Sequence, residues 1–308
     1  MTDLPHTPPR RAAEPASDPS AGRSPWVILA VLCTSVFIIV VDGTIVNVAL
    51  PTFVRELGAT TSQLQWIVDA YVLVFAGLLM AAGSIGDRYG RKGVLQIGLL
   101  LFAVTSALAS TADSAGALIA WRAVMGVGGA LIFPATLALL VNVFTVPKQR
   151  AVAISVWAAT SGLAVALGPV SGGLLLKYFS WGSIFLVNVP IIAVAMVLVW
   201  RLVPTSRDTT LHRFDPLGTL LSIAGITVLV WAVIEGPVHG WLSVESAAAF
   251  TAAVVLLSVF VWWELRSDHP MLDVTVFTNM RFTAGSVSVA FAFCLLYTSP
   301  SPRDRTRS

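Results

Sequence analysis

Nine apolar runs divide this chain of 308 residues. They cover residues 26–49, 64–84, 93–112, 115–143, 151–176, 181–203, 217–235, 246–263 and 282–297. A helix of ~20 apolar residues crosses the hydrocarbon core of a bilayer, and runs that are continuous rather than alternating favour helices over barrel strands. The pattern therefore predicts an all-α, polytopic bundle of transmembrane helices.

The composition supports a membrane location. Hydrophobic residues make up 56% of the chain and charged residues only 11%, whereas soluble domains carry ~25% charged residues. The lipid bilayer must therefore act as the solvent for most of the surface. No segment between the runs is long enough to form a soluble domain.

The basic residues predict an orientation. If the N-terminus lies inside the cell, thirteen loop or tail arginines and lysines fall on the inner side, and only Arg55 and Lys177 fall on the outer side before the ninth run. Such an excess sets the topology of polytopic proteins. Residues 1–25, rich in proline and small residues, are expected to form a disordered cytoplasmic tail. The expected location is the cell membrane.

Several other classes of protein are excluded by the sequence. The net charge of +3 is distributed over short loops, so nucleic acid is not an expected partner. Cys33 and Cys294 both lie within apolar runs and indicate neither a disulfide framework nor a metal site. With no nucleotide-binding loop or nucleophile triad, we expect no enzyme activity and no cofactor.

A glycine-rich charged segment lies between the second and third runs. It reads Gly83-Ser84-Ile85-Gly86-Asp87-Arg88-Tyr89-Gly90-Arg91-Lys92. Glycines permit a tight turn, and an aspartate here can cap or face the positive start of the next helix. An ordinary inner loop explains the charges but not their ordered spacing with the glycines. The segment resembles the signature loop of the major facilitator superfamily, which implies a latch formed by Gly83, Gly86, Asp87, Arg88, Gly90, Arg91 and Lys92.

A carboxylate in the first run and an arginine in the fourth lie at similar depth. Asp42 precedes Pro51, the expected helix end, by nine residues, and Arg122 follows Ser114 by eight. At ~1.5 Å per residue, both lie roughly 12 Å below the outer boundary. The hypothesis is that they face each other across a cavity, where protonation of Asp42 changes the contact. Alternatively, Asp42 caps a kink while Arg122 extends to the interface.

Both segments resemble motifs of the 14-helix drug–proton antiporters of this superfamily. Asp42, Asn47 and Pro51 fit the first-helix motif, and the segment from Trp121 to Ala130 fits the fourth-helix motif, although Met125 replaces the usual glutamine. The resemblance implies a role in proton coupling for Arg122, and the hypothesis above makes Asp42 the group that takes up the proton. Asn47, and Asp69 in the second run, are candidates to line the substrate cavity; for Asp69, extension to the interface is an equal alternative.

The fifth run resembles the antiporter motif of exporters. Small residues recur at intervals of four, which forms a flat face for close helix packing. The motif residues are Gly162, Gly168, Pro169, Gly172 and Gly173. Generic close packing is the alternative. The segment from Ser180 to Pro190, which includes Asn188, also resembles the drug antiporters, with Gly182 and Ser183 in place of arginine and tryptophan.

The seventh and eighth runs are interpreted as an insertion. A 12-helix member would carry a second copy of the latch motif in residues 264–281, and none is present. The expected division is a transmembrane N-domain at 26–203, two inserted linker helices at 204–263, and a loop with the first helix of a C-domain at 264–297. Residues 298–308 resemble translated adapter sequence and are expected to be a non-native tail; a genuine short polar tail is the alternative.

The resemblance implies a proton-driven efflux transporter for small amphipathic or cationic compounds, present here as an N-terminal part. The energy source would be the proton gradient. A metabolite carrier of the same superfamily and a non-transporting membrane scaffold are the alternatives; the fifth-run motif disfavours the former, and the lack of an output domain disfavours the latter. Substrate identity and oligomeric state are left open.

Overall fold

The structure, a computed structural model, describes residues 24–205, 215–241, 243–267, 278–280 and 283–288. These ranges are almost entirely helical and contain no strand, which confirms the predicted all-α class. The helices are α1 (Pro25–Leu57), α2 (Thr61–Tyr89), α3 (Arg91–Ala109), α4 (Ala115–Val143), α5 (Pro147–Tyr178), α6 (Ser183–Leu186), α7 (Asn188–Leu202), α8 (Pro216–His239) and α9 (Val244–Glu264).

Among the described residues, eight helical segments are long and apolar enough to cross a membrane. They correspond in order to the first eight predicted runs, with α6 and α7 together forming the sixth span. Of the ninth run, residues 283–288 are helical. Its remainder lies outside the described residues, as do nearly all of the predicted N-terminal tail and the whole of 298–308.

The helix starts follow from local sequence. Thr60 and Gln63 form a reciprocal capping box at the start of α2. The side chains of Ser114, Asp215 and Ser243 each accept a backbone N–H at the start of α4, α8 and α9. Proline lies in the first turn of α1 and α5, and also of the capped helix α8. At this position the missing N–H costs no helical hydrogen bond.

Two expected boundaries are wrong. α1 does not end at Pro51 but continues to Leu57, because Phe53 is fully buried and packs edge-on against Trp181 at 5.6 Å. Gly58 then ends the helix in the left-handed conformation, with φ of 59°. The glycine-rich segment is not an extended loop either. Gly83–Tyr89 belongs to α2, and only Gly90, with φ of 109°, separates α2 from α3.

The first seven helices pack into one bundle. α4 lies against α2 and α3, α1 lies against α5, and α3 lies against α7. α8 and α9 form a hairpin that joins this bundle through α2. A Cβ atom at Gly77 would fall onto the side chain of Thr227 in α8, and the hydroxyl of Ser222 lies 3.6 Å from the sulfur of Met80. The absence of a side chain at Gly77 therefore lets α8 approach α2.

Candidate proton-coupling site

Asp42 and Arg122 form an ion pair inside the bundle. Nη1 of Arg122 donates to Oδ2 of Asp42, and both side chains are 0% exposed. The structure thus brings together the two charges that the sequence placed at equal depth. Because Arg122 is fully buried, it does not extend to the interface. The pair also differs from the hypothesis in one respect, since it lies between packed helices of the bundle and not across an open cavity.

The guanidinium group of Arg122 is held by α2. Its Nε donates to the carbonyl oxygen of Ile67 at 3.0 Å, and its Cζ lies 4.4 Å from the ring centre of Tyr71, a cation–π contact. The Tyr71 hydroxyl donates to the carbonyl oxygen of Ile39 at 3.0 Å, which ties α2 to α1. A buried ion pair is stable only when such additional contacts offset the loss of hydration.

The other oxygen of Asp42 is bound by a residue that the sequence interpretation did not select. Nδ2 of Asn188, at the start of α7, donates to Oδ1 of Asp42 at 2.9 Å and contacts Oγ of Ser106 in α3 at 3.0 Å. Ser106 donates to the carbonyl oxygen of Phe185 at 2.9 Å. Asn188 is 3% exposed and Ser106 is 0% exposed. The sequence does contain a signal for Asn188, since it is a polar amide within the apolar run 181–203.

Glycines in α4 make this geometry possible. A Cβ atom at Gly126 would lie 2.7 Å from the carbonyl oxygen of Tyr71. On the α3 side, a Cβ atom at Gly128 would lie 3.1 Å from the carbonyl oxygen of Gly98. The first distance is too short for a Cβ contact, and the second is tighter than most such contacts, so the missing side chains at these positions favour the close approach of α4 to α2 and α3. Close approach brings Arg122 within reach of Ile67 and Tyr71.

The two candidate cavity residues lie apart from this cluster. Asn47 is exposed, and its Nδ2 donates to the carbonyl oxygen of Thr44 in its own helix at 3.3 Å. Asp69 is half-buried and faces away from Ile67 and Tyr71, since it lies two residues from each on a helix. Glu235 lies within α8 and interacts electrostatically with Asp69.

The predicted latch residues lie where α2 meets α3, next to the end of α7. Oδ1 of Asp87 lies 2.7 Å from both Nε and Nη2 of Arg91, across the break at Gly90. Asp87 therefore pairs with the Arg91 side chain, and no side chain caps the start of α3. Nζ of Lys92 donates to the carbonyl oxygen of Trp200 near the end of α7 at 2.8 Å. Arg88 lies 5.6 Å from the ring of Tyr89, while Gly83 and Gly86 lie within α2.

The small residues of α5 contact α1 at only some of the expected positions. Ala164, Gly168 and Gly172 are buried, and a Cβ atom at Gly172 would lie 2.8 Å from Cγ1 of Ile45. In contrast, a Cβ atom at Gly162 or Gly173 would have no neighbour within 4 Å among the described residues. Together with the exposed Pro169, these two glycines lie on a face of α5 that points away from α1.

Comparison with known families gives a match over most of the chain. A sequence model of the Major Facilitator Superfamily matches residues 32–303. The chain is 45% identical to the multidrug efflux pump LfrA of Mycolicibacterium smegmatis, over 86% of this chain and 53% of LfrA. It is 37% identical to the multidrug resistance protein Stp of Mycobacterium tuberculosis, over 85% of this chain and 49% of that relative.

A third relative and a solved structure complete the comparison. The methyl viologen resistance protein SmvA of Salmonella typhimurium is 36% identical over 88% of this chain and 55% of its own length. A crystal structure of a peptide transporter, POT, in complex with sulfate superposes with a TM-score of 0.57 at 17% identity, over 78% of this chain and 53% of that chain. The structural likeness supports the fold alone. The chain spans about half the length of the curated relatives it matches.

Proposed function

This chain belongs to the Major Facilitator Superfamily, and we propose that it is the proton-coupling half of a drug–proton antiporter that exports small amphipathic or cationic compounds. The relatives named as efflux and resistance proteins match it over more than four-fifths of its length. The observation that carries the proposal is the buried Asp42–Arg122 pair within a chain that spans the membrane several times. A buried ionisable group in a membrane span usually serves ion or substrate movement.

In the proposed mechanism, Asp42 is the group that gains and loses the proton. When Asp42 is ionised, its attraction to Arg122 is strong because the pair is dehydrated. Protonation removes the negative charge, so the helices that carry the two residues separate at lower cost. A proton that enters the cell gains ~2.3 kcal/mol per 100 mV of membrane potential, and this energy drives substrate outward. The proton gradient is thus the energy source, with no cofactor and no enzymatic reaction.

The proposal includes the topology. With the N-terminus inside, the ends of the spans that carry Arg88, Arg91, Lys92, Lys148 and Arg150 face the cytoplasm, as the excess of basic residues requires. The division into an N-domain at 26–203 and inserted helices at 204–263 also belongs to the proposal. It is supported by the attachment of the α8–α9 hairpin to α2 on the outside of the seven-helix bundle. The second half of the fold would supply the other wall of the substrate path.

The proposed transport is tested by a fusion of this chain to the second half of LfrA. In inverted vesicles, we expect the fusion to accumulate ethidium when a proton gradient is imposed. Asp42→Asn in the fusion is expected to lower the initial rate about 100-fold, the lower end of what a proton-transferring side chain contributes. The measurement is the quenching of ethidium fluorescence, followed together with proton release from the vesicles.

Two matched samples make the result decisive. The 308-residue chain alone is expected to give no accumulation, because one half of the fold cannot enclose a substrate path. Val54→Ala, at an exposed position on the same helix as Asp42, separates loss of the carboxylate from general disturbance of α1. An inert fusion beside active LfrA, or full proton-coupled transport by the Asp42→Asn fusion, would contradict the proposal.

The latch is tested by separating stability from transport. The Asp87–Arg91 pair is half-exposed on the aspartate side, and ion pairs of this kind contribute only ~0–1 kcal/mol to stability. We expect Asp87→Asn in the fusion to leave the melting temperature nearly unchanged while it slows transport clearly. Asp113→Asn, at an exposed aspartate of the α3–α4 connection, is the control. Equal transport rates in the two variants would remove the latch from the mechanism.

A further inference from the structure

We propose that Asn188 is a positioning residue that responds to the protonation state of Asp42 and transmits it, through Ser106, to α6. The proposal rests on the proposed function in one respect, namely that Asp42 takes up a proton. It adds a path by which that event reaches the inner ends of the helices. The path consists of buried groups of α1, α7, α3 and α6.

The hydrogen-bond directions define the starting state. Arg122 has only donors, and its Nη1 donates to Oδ2 of Asp42. Nδ2 of Asn188 donates to Oδ1 of Asp42 at 2.9 Å, and Ser106 donates to the carbonyl oxygen of Phe185 at 2.9 Å. In this state both oxygens of Asp42 accept, Oδ2 from Arg122 and Oδ1 from Asn188, and neither oxygen needs to carry a proton. The arrangement therefore corresponds to the deprotonated carboxylate.

The position of the added proton follows from these partners. Oδ2 faces the permanently charged guanidinium group, whereas Oδ1 faces a neutral amide. A proton from a hydronium ion therefore binds to Oδ1: one O–H bond of hydronium breaks and leaves water, and one O–H bond forms on the carboxylate, which becomes neutral. The new O–H then points at the N–H of Asn188, so two donors face each other and their hydrogen bond is lost.

Rotation of one amide restores the pairing. If the Asn188 side-chain amide turns by half a rotation, its oxygen replaces its nitrogen and accepts the O–H of Asp42. The same oxygen then faces Oγ of Ser106, which lies 3.0 Å from the present nitrogen position. Ser106 must now donate to Asn188, and it therefore releases the carbonyl oxygen of Phe185. Protonation of Asp42 in α1 thus breaks the hydrogen bond from Ser106 to the Phe185 carbonyl oxygen of α6.

The released carbonyl lies beside the interruption in the sixth span. Pro190 has no backbone N–H, so the carbonyl oxygen of Leu186 lacks its usual partner four residues later, and the helix is interrupted at Val187 between α6 and α7. Loss of the Ser106 contact leaves this turn with one restraint fewer. A change in its angle would move α7 relative to α6.

The far end of α7 contacts the predicted latch. Asn188 begins α7, and Trp200, whose carbonyl oxygen accepts the Lys92 ammonium group at 2.8 Å, lies near its end. The rise from Asn188 to Trp200, twelve residues later, is about 18 Å along the helix. One rigid helix therefore connects the carboxylate that takes up the proton with the inner connection between α2 and α3. Because Asn188 begins α7, it connects Asp42 with the latch residue Lys92 at the other end of this helix.

The test uses infrared difference spectroscopy on the 308-residue chain in lipid nanodiscs, with phenylalanine labelled by ¹³C at the backbone carbonyl. Acidification is expected to produce a carboxylic C=O band that is absent in Asp42→Asn. It is also expected to shift a labelled phenylalanine carbonyl band to higher wavenumber, because a hydroxyl donor is lost. That second shift should disappear in Asp42→Asn, Asn188→Leu and Ser106→Ala. In Asn188→Leu, the carboxylic band itself should move to higher wavenumber because the O–H loses its acceptor.

The control is Thr105→Val, next to Ser106. Thr105 is equally buried, but its hydroxyl donates only within α3, to Leu101 and Phe102. Both acid-induced changes should persist in this variant. If Asn188→Leu does not fold, Ser106→Ala alone still tests the transmission, since it keeps the amide.

Different results would contradict the proposed function and the role of Asn188. A carboxylic band that is absent, or that persists in Asp42→Asn, would show that Asp42 does not take up the proton, and the proposed function would lose its coupling site. A carboxylic band that depends on Asp42, without a phenylalanine shift or with a shift that survives Asn188→Leu and Ser106→Ala, would overturn only the role of Asn188.

Discussion

Replacement of Arg122 by methionine is expected to lower the free energy of unfolding by about 3–5 kcal/mol, the usual cost of removing one partner of a buried ion pair. The substitution leaves the Asp42 carboxylate at 0% exposure with no cation beside it. It also removes the donor to Ile67 and the cation–π contact with Tyr71. Methionine fills much of the same volume, so the decrease in the free energy of unfolding is caused by the unpaired charge and not by a cavity.

The measurement is unfolding by denaturant in mixed micelles, with a double-mutant cycle. Asp42→Asn/Arg122→Met removes both charges and is expected to recover a large part of the stability lost in Arg122→Met, because well-packed neutral residues often replace a buried pair at little cost. The coupling between the two changes gives the interaction free energy of the pair. If the double variant were as unstable as the two single losses added together, the residues would not interact, and the ion pair would have no part in the site.

The predictable part of the fold was the set of spans, because continuous apolar runs have one stable solution in a bilayer. The wrong boundaries involved residues whose conformation depends on tertiary packing. Pro51 was the expected helix end, but burial of Phe53 against Trp181 stabilises the continuation of α1 to Leu57. The charged segment near Gly90 indicated a loop by its glycines, yet a single residue with positive φ is enough to connect α2 with α3.

The candidate site was only half predictable for a different reason. Charges in an apolar run are conspicuous, and equal depth follows from the helical rise, so Asp42 and Arg122 were evident from sequence. Asn188 and Ser106 are neutral and common in such helices, and nothing in their spacing indicates a shared partner. Their role depends on how α3 and α7 are rotated about their axes. That rotation is determined by close contacts, such as Gly98 against α4, which depth alone does not specify.

In α5 as well, the sequence predicted only some of the contacts between helices. The sequence interpretation grouped five residues, but the structure divides them into a buried set that contacts α1 and an exposed set that does not. The buried members follow the interval of four, so the flat face of α5 was predictable from spacing. The exposed members, Gly162, Pro169 and Gly173, leave a second smooth face. In the proposed transporter, this face would be available to the other half of the fold.

Gly172→Leu is expected to destabilise the chain by about 3 kcal/mol, the upper end of the usual cost of overpacking. A Cβ atom at Gly172 would already lie 2.8 Å from Cγ1 and 3.1 Å from the carbonyl oxygen of Ile45, and α1 cannot retreat without disturbing Asp42, one turn earlier. At the neighbouring Gly173, a Cβ atom would meet no atom of the described residues within 4 Å. Gly173→Leu should therefore stabilise α5 by about 0.5 kcal/mol, because glycine is a poor helix former.

The two variants therefore differ in the sign of their effect although they change the same residue type at adjacent positions of one helix. The measurement is the melting temperature of the 308-residue chain in detergent, followed by tryptophan fluorescence, together with the monodisperse fraction on size exclusion. Gly172→Leu should lower both, and Gly173→Leu should leave both equal or higher. Equal losses in the two variants would mean that α5 tolerates no bulk on either face, and the division of the motif into a contact face for α1 and a separate exposed face would be wrong.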